Sequence, residues 1–111
     1  MIGVYVMNFP MSFYCATRDF ADFSHPVPAP AMRRSFTVEK VGAPAKLLIC
    51  GLGLYRLFVN GSEITRTILA PYISNPDDIL YYDSYDLSDL LNVGENVIGV
   101  ILGNGMLNCP G

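Results

Sequence analysis

An Asn-Gly pair between two segments with strand character constrains the fold of this chain more than any other feature. Residues 54–59 alternate between two sides with a period of two, which is the pattern of a half-buried β-strand. Asn60 and Gly61 follow at once, and both central residues of a type I′ turn need the positive φ that Asn and Gly tolerate best. The sequence therefore predicts a β-hairpin whose return strand covers residues 62–67.

Further segments with strand signals are separated by glycines, prolines and other turn formers. They are Arg33–Lys40, Ala45–Cys50, Ile79–Leu87 and Val97–Leu102. The second and fourth are continuous apolar runs, which are typical of strands buried on both faces. We predict one helical turn at Ser88–Leu91, with Ser88 as its N-cap, and a tight turn over Asn92–Asn96. Five to six short strands without a long helix or an internal repeat predict an all-β antiparallel sandwich.

The composition is unusually apolar for a chain that has room for one domain only. Of its 111 residues, 51% are hydrophobic and 15% are charged, whereas an average globular protein has about 25% charged residues. Residues 1–17 and residues 96–111 carry no charge at all. Because such a surface exposes apolar area that usually contacts a partner, we do not expect a free-standing, highly soluble monomer.

Charge and cysteine content exclude several classes of protein. The net charge is −3, so the chain lacks the basic surface that nucleic-acid binding needs. The sequence also lacks a run of 18 apolar residues, so we expect no transmembrane helix. Cys15, Cys50 and Cys109 are an odd set without zinc-ligand spacing, which indicates free thiols in a reducing compartment. Since the N-terminus also lacks the basic region of a signal peptide, we expect a cytoplasmic protein.

We divide the chain into two regions on these patterns. Residues 1–31 form an N-terminal extension that ends in a proline-rich, extended connector around Pro26, Pro28 and Pro30. Residues 32–111 form a partial sandwich. The sequence stops soon after a strand that reads as central, so we expect a sandwich truncated at its C-terminus.

No motif for nucleotide binding, nucleophilic catalysis or metallopeptidase chemistry is present, and we predict no catalytic residue. Acidic residues do cluster, and they are Asp77, Asp78, Asp83, Asp86 and Asp89. Such residues more often form turns and solvated faces, although a calcium site stays open as an alternative and its ligands are unknown. Aromatic side chains that stack on sugars would come from Tyr72, Tyr81, Tyr82 or Tyr85, and aromatics at this spacing also belong to cores. We select Tyr72, Tyr82 and Asp83 as candidate carbohydrate-binding residues.

Several segments together carry a family resemblance. The stretch from Ile49 to Gly61 resembles the N-terminal β-sandwich domain of bacterial α-L-rhamnosidases. Leu69-Ala70-Pro71, residues 82–91 and residues 94–105 agree with that domain in order and spacing. The resemblance extends over about residues 32–107.

The resemblance implies a jelly-roll, galactose-binding-domain-like sandwich in a large glycoside hydrolase whose acid and base lie in a separate, downstream (α/α)₆ barrel. It implies a non-catalytic accessory domain that assists substrate recognition or packs on the catalytic domain, while the parent enzyme hydrolyses terminal α-L-rhamnosyl residues. Two alternatives stay open, an independent calcium-assisted carbohydrate-binding module for rhamnose-containing glycans and a purely structural interaction domain. The chain has Tyr72-Ile73 where the family often has a Gly-Trp pair, and Met106 where it often has tryptophan or another aromatic. Both differences favour packing over sugar stacking.

Overall fold

The structure, a computed structural model, describes residues 12–19, 22–71 and 78–104. The regular elements within these ranges are six β-strands. They are β1 (Ala31–Val38), β2 (Lys46–Ile49), β3 (Leu54–Val59), β4 (Ser62–Glu63), β5 (Asp83–Asp86) and β6 (Gly94–Gly103). The described residues include no helix long and apolar enough to cross a membrane.

The strands form two antiparallel sheets. One sheet has four strands in the order β1, β6, β3 and β4, and the other pairs β2 with β5. The buried core lies between the sheets and consists of Tyr55, Leu57, Val59, Ala70, Tyr85 and Leu87. Alternation along β3 supplies the first three of these side chains. The predicted all-β antiparallel sandwich is therefore confirmed.

The apolar segment at 97–102 forms the centre of the larger sheet. Strand β6 pairs with β1 on one side and β3 on the other, so that Val100 lies opposite both Met32 and Leu57. Most residues of β6 are only half-buried and Ile101 is 37% exposed, so the prediction that this strand is buried on both faces is wrong. The predicted turn over Asn92–Asn96 is wrong at its end, because Gly94 to Asn96 already pair with β1.

The predicted hairpin is confirmed at its turn, but its return strand is shorter than predicted. Asn60 has φ of 50° and Gly61 has φ of 84°, as a type I′ turn requires. The Ile64 amide still donates to the Leu57 carbonyl at 2.9 Å. At Thr65 a side-chain hydrogen bond takes the place of a backbone one, because Thr65 Oγ1 accepts from the Leu57 amide at 2.6 Å. The chain then leaves the sheet.

The segment predicted as a strand over 79–87 forms β5 only at Asp83–Asp86, and the predicted helical turn after it is a single hydrogen-bonded turn rather than part of a helix. A single turn closes there, with the Leu90 amide donating to the Leu87 carbonyl at 2.9 Å. Ser88 is not an N-cap. Its Oγ donates to Asp86 Oδ1 at 2.6 Å and accepts from the Ala45 amide at 3.0 Å. Ser88 thus joins the end of β5 to the start of β2.

Candidate functional site

Tyr55, Asp83 and Tyr85 meet between the two sheets. Alternation turns Tyr55 inward from β3, and the same period turns Asp83 and Tyr85 inward from β5. Tyr55 is 2% exposed and Tyr85 is 5% exposed, whereas Asp83 is half-buried. We call these three residues the phenol–carboxylate cluster.

Hydrogen bonds connect the members of the phenol–carboxylate cluster. The Tyr55 hydroxyl donates to Asp83 Oδ2, and the hydroxyl oxygens of Tyr55 and Tyr85 lie 3.2 Å apart. Because the one proton of Tyr55 is committed to the carboxylate, Tyr85 is the donor in the second bond. The cluster therefore ties the four-stranded sheet to the two-stranded sheet through polar atoms inside the core.

The surroundings favour the neutral forms of the Tyr55 hydroxyl and of the neighbouring Cys50 thiol. Burial raises the pKa of Tyr55 far above its ordinary value, and the hydrogen bonds to Asp83 and Tyr85 raise it further. Burial also raises the pKa of the Cys50 thiol, and the negative charge of Asp83 adds to that effect. A reactive cysteine needs a lowered pKa. Tyr55 and Cys50 are therefore poor candidates for a phenolate or thiolate nucleophile.

The backbone around Tyr55 is shaped to accept its ring. A Cβ atom at Gly51 would lie 2.9 Å from Tyr55 Cδ1 and 2.9 Å from the Gly53 carbonyl oxygen. Any larger residue at Gly51 would displace the ring or the chain. The Tyr55 amide donates to the Ala70 carbonyl at 2.7 Å. Gly51 and Ala70 therefore hold Tyr55 in the position from which its hydroxyl reaches Asp83.

Two arginines lie over aromatic rings at different places in the fold. The Arg66 guanidinium carbon is 5.6 Å from the centre of the Tyr85 ring, next to the phenol–carboxylate cluster. Arg56 projects from the opposite face of β3, where its guanidinium carbon is 5.5 Å from the centre of the Phe58 ring. Arg56 also forms an ion pair with Glu63 at 2.5 Å across the hairpin. Both contacts are of the cation–π type.

The three residues predicted to bind carbohydrate occupy different surroundings. Tyr72 lies outside the described residues, Tyr82 is half-buried just before β5, and Asp83 is the first residue of β5. The Asp83 carboxylate accepts a hydrogen bond from the Tyr55 hydroxyl, which was not predicted from the sequence. Tyr85 is buried and presents no exposed stacking surface. Sugar binding by Tyr72, Tyr82 and Asp83 stays a prediction.

The remaining acids of the predicted cluster do not form a metal site where they are described. Asp86 accepts from the Ser88 hydroxyl at 2.6 Å and from the Ser88 amide at 2.9 Å. The hydroxyl contact is the main reason that the pKa of Asp86 lies below its usual value. Asp77 lies outside the described residues. Among those that are described, no three His, Cys, Asp or Glu side chains could hold a metal ion.

A second polar centre, which sequence reasoning missed, lies at the other end of β3. Asn96 is 0% exposed, and its Oδ1 accepts from the Asn92 amide at 2.8 Å and from Asn60 Nδ2 at 2.9 Å. Asn96 Nδ2 donates to the Asn92 carbonyl at 2.7 Å and to the Gly94 carbonyl at 3.1 Å. Its side chain therefore joins the hairpin turn to the chain segment that enters β6. The only sequence signal was a polar residue beside an apolar run.

Comparison with known proteins identifies the family of this sandwich. The sequence profile of the family described as "Alpha-L-rhamnosidase N-terminal domain" matches residues 40–110. The chain belongs to this family. The match begins just after β1 and includes the phenol–carboxylate cluster, the hairpin and β6. The resemblance drawn from the sequence is confirmed.

Individual α-L-rhamnosidases show the same relationship. One from Formosa agariphila is 44% identical over 73 residues, which are 66% of this chain and 8% of that protein. One from Alteromonas sp. is 28% identical over 75 residues, which are 67% of this chain and 8% of that protein. The chain therefore spans less than a tenth of the length of these relatives.

Solved structures place the same fold in α-L-rhamnosidases. The structure of the α-L-rhamnosidase from Dictyoglumus thermophilum superposes with a TM-score of 0.67 and 42% identity, covering 70% of this chain and 9% of that one. The native α-L-rhamnosidase from Aspergillus terreus superposes with a TM-score of 0.60 and 32% identity, covering 66% of this chain and 8% of that one. The sandwich is thus shared by sequence and by fold.

Proposed function

We propose that this α-L-rhamnosidase N-terminal domain is a non-catalytic accessory domain of a longer α-L-rhamnosidase. In this role it packs on the catalytic domain or assists substrate recognition, while the whole enzyme hydrolyses terminal α-L-rhamnosyl residues. The (α/α)₆ barrel that the resemblance implies is the proposed partner in the same polypeptide. Two described cysteines, Cys15 and Cys50, are free thiols, which supports a proposed cytoplasmic location.

The engagement of Asp83 inside the sandwich carries this proposal. A glycosidase of the usual kind needs two carboxylates that flank the scissile bond. Asp83 instead accepts a hydrogen bond from the hydroxyl of the buried Tyr55, and Asp86 accepts one from the Ser88 hydroxyl at the end of β5. Both side chains hold the fold together. They supply no acid and base pair directed at a substrate, which supports an accessory role.

Exposed apolar side chains support the packing role in particular. Ile68 is 96% exposed, Leu69 is 55% exposed and Ile79 is 58% exposed. Ile68 and Leu69 come just before Ala70, whose carbonyl accepts a hydrogen bond from the Tyr55 amide. Ile79 lies four residues before Asp83, whose carboxylate accepts a hydrogen bond from the Tyr55 hydroxyl. Exposed apolar side chains of this size are typical of a surface that contacts another domain.

An activity assay tests the non-catalytic assignment. The purified chain is incubated with p-nitrophenyl α-L-rhamnoside beside a full-length α-L-rhamnosidase as positive control. We expect no turnover by the chain, because Asp83 and Asp86 bond other parts of the fold. Turnover that copurifies with the chain and falls in an Asp83→Asn variant would overturn the proposal.

A binding titration separates the accessory domain from an independent carbohydrate-binding module. L-Rhamnose is titrated into the chain by calorimetry, with calcium and with a chelator. We expect no heat and no shift in melting temperature at millimolar sugar in either condition. A calcium-dependent signal that is lost in a Tyr82→Ala variant would instead support the calcium-assisted module.

Light scattering tests the packing role directly. We expect the isolated chain to self-associate through its exposed apolar residues, and an Ile68→Ser variant to self-associate less. A Thr67→Ser variant is a matched control at the neighbouring exposed position. A stable monomer at all concentrations would contradict the packing role.

A further inference from the structure

The hairpin turn is fastened to the rest of the domain by one asparagine side chain. Asn60 Nδ2 donates to Asn96 Oδ1 at 2.9 Å and to the Leu90 carbonyl at 3.0 Å. Asn60 Oδ1 accepts from the Val97 amide at 2.9 Å, and the Asn60 amide donates to the Val97 carbonyl at 2.9 Å. We call these bonds the Asn60 latch. They connect the β3–β4 turn with β6 and with the turn after β5.

The residue after Asn60 is glycine, and this pair has a known chemical weakness. The backbone nitrogen of Gly61 can attack Cγ of Asn60, forming a C–N bond while the Cγ–Nδ2 bond breaks and ammonia leaves with the proton of the attacking nitrogen. Water then opens the resulting succinimide to aspartate or isoaspartate. Gly61 is exposed, and a Cβ built on it meets nothing within 4 Å, so the space around this residue is open.

We propose that Asn60 is a site of spontaneous deamidation that is protected while the Asn60 latch is closed. The attack requires the side-chain amide to turn toward Gly61. In the structure both ends of that amide are held, the nitrogen by two acceptors and the oxygen by the Val97 amide. The amide must leave these partners before it reacts, so the rate depends on local opening of the turn.

Deamidation prevents the Asn60 latch from closing again. In aspartate a carboxylate oxygen replaces Nδ2 and faces the Leu90 carbonyl and Asn96 Oδ1, which are both acceptors. Isoaspartate also lengthens the backbone inside a two-residue turn. Either product leaves the buried Asn96 Oδ1 without one of its two donors. Opening of the latch thus becomes irreversible.

Peptide mapping of the full chain tests the proposal, and it does not depend on the proposed function. The chain is incubated at mildly alkaline pH without urea, in urea below the unfolding transition, and fully unfolded. Mass spectrometry then separates Asn, Asp and isoaspartate at position 60. Asn104, which belongs to the only other Asn-Gly pair of the sequence, reports the reactivity of the same dipeptide in the unfolded chain.

We expect deamidation at Asn60 to be slower in the native chain than in the unfolded chain by a factor on the order of ten or more. The reason is that at least two hydrogen bonds of the Asn60 side chain must break before it can react. The rate should rise with urea below the transition. Equal rates in the native and unfolded chains, or no reaction at Asn60 when Asn104 reacts, would overturn the proposal.

A product variant supplies an independent test. Asn60→Asp places the carboxylate in the Asn60 latch, and Asn92→Asp is its matched control, because Asn92 bonds Asn96 only through its backbone. We expect Asn60→Asp to lower the urea midpoint and Asn92→Asp to leave it close to wild type. Equal midpoints for the two variants would overturn the idea that modification holds the latch open.

Discussion

Strand β3 is fastened at both ends, and the two fastenings use opposite chemistry. At its start, Tyr55 bonds Asp83 and Tyr85 across the core and ties one sheet to the other. Just beyond its end, Asn60 bonds Asn96 and Val97 and ties the hairpin to its own sheet. The first uses phenols and a carboxylate, which can gain or lose protons. The second uses amides, which do not titrate.

The difference follows from what each end must satisfy. The turn before β6 presents backbone donors and acceptors together, and a side-chain amide supplies both kinds of partner. Asn96 can therefore be fully buried with all of its polar atoms bonded. A carboxylate only accepts, and its charge is costly to bury. Asp83 accordingly stays half-buried, where one phenol reaches it and solvent is close.

The largest effect is expected at the amide end. Asn96→Ala removes the side-chain partner of the Asn92 amide and of the Asn92 and Gly94 carbonyls, and it removes one of the two acceptors of Asn60 Nδ2. We therefore expect a loss of about 3 kcal/mol in the free energy of unfolding. Urea unfolding measures it. Because no proton is exchanged, the loss should be equal at pH 6 and pH 8. A loss below about 1 kcal/mol would contradict the role given to this amide.

A smaller effect is expected at the phenol end. Tyr55→Phe removes the donor to Asp83 and the acceptor for Tyr85 while keeping the ring, so we expect a loss of about 2 kcal/mol. Tyr85→Phe is the matched control. It removes a hydroxyl bonded only to Tyr55 among the described residues, so its loss should be smaller in the same urea measurement. The reverse order would contradict the hydrogen-bond directions assigned here.

Alkaline pH distinguishes the two ends further. The pKa of Tyr55 is higher in the folded chain than its ordinary value of 10.0. The unfolded chain therefore loses this proton first, and stability that is complete below pH 10 falls as the pH rises above it, by at most about 1.4 kcal/mol for each pH unit.

Urea midpoints measured between pH 8 and pH 11 check this slope. Tyr55→Phe should have a shallower slope than wild type, and Asn60→Asp should keep the wild-type slope. Cys50, whose pKa is also raised, acts in the same direction, so the comparison is repeated in a Cys50→Ser background. An unchanged slope in Tyr55→Phe would show that the phenol does not control alkaline stability.

The smallest effect is expected at the exposed ion pair on the outer face of β3. Glu63→Gln removes the charge that pairs with Arg56 across the hairpin. Exposed pairs contribute little because water and salt screen them, so the urea midpoint should hardly change. The same measurement in high salt is the control, since salt should erase any difference. A loss as large as that of Tyr55→Phe would contradict this ranking.

Local patterns in the sequence were sufficient to predict much of the fold. Strand β3 and the turn at Asn60-Gly61 lie where the alternation and the turn rule place them. The return strand and β5 are shorter than predicted, because side chains such as Thr65 Oγ1 replace ladder partners, and such competition depends on neighbours distant in sequence. The site was predicted only in part. Asp83 was selected for sugar binding, and its bond to Tyr55 was missed.

The sequence by itself determined the strand character, the inward alternation along β3 and the hairpin turn, because each depends on residues close together in the chain. It also determined the family, because the order and spacing of several segments can be read along the chain. Only the tertiary structure decided which polar side chains meet. Tyr55 and Asp83 are 28 residues apart, and Asn60 and Asn96 are 36 apart. Their contacts require the pairing of β3 with β6 and the packing of β5 above them. Register and packing between distant strands therefore made one asparagine a core residue and one aspartate a tie between sheets.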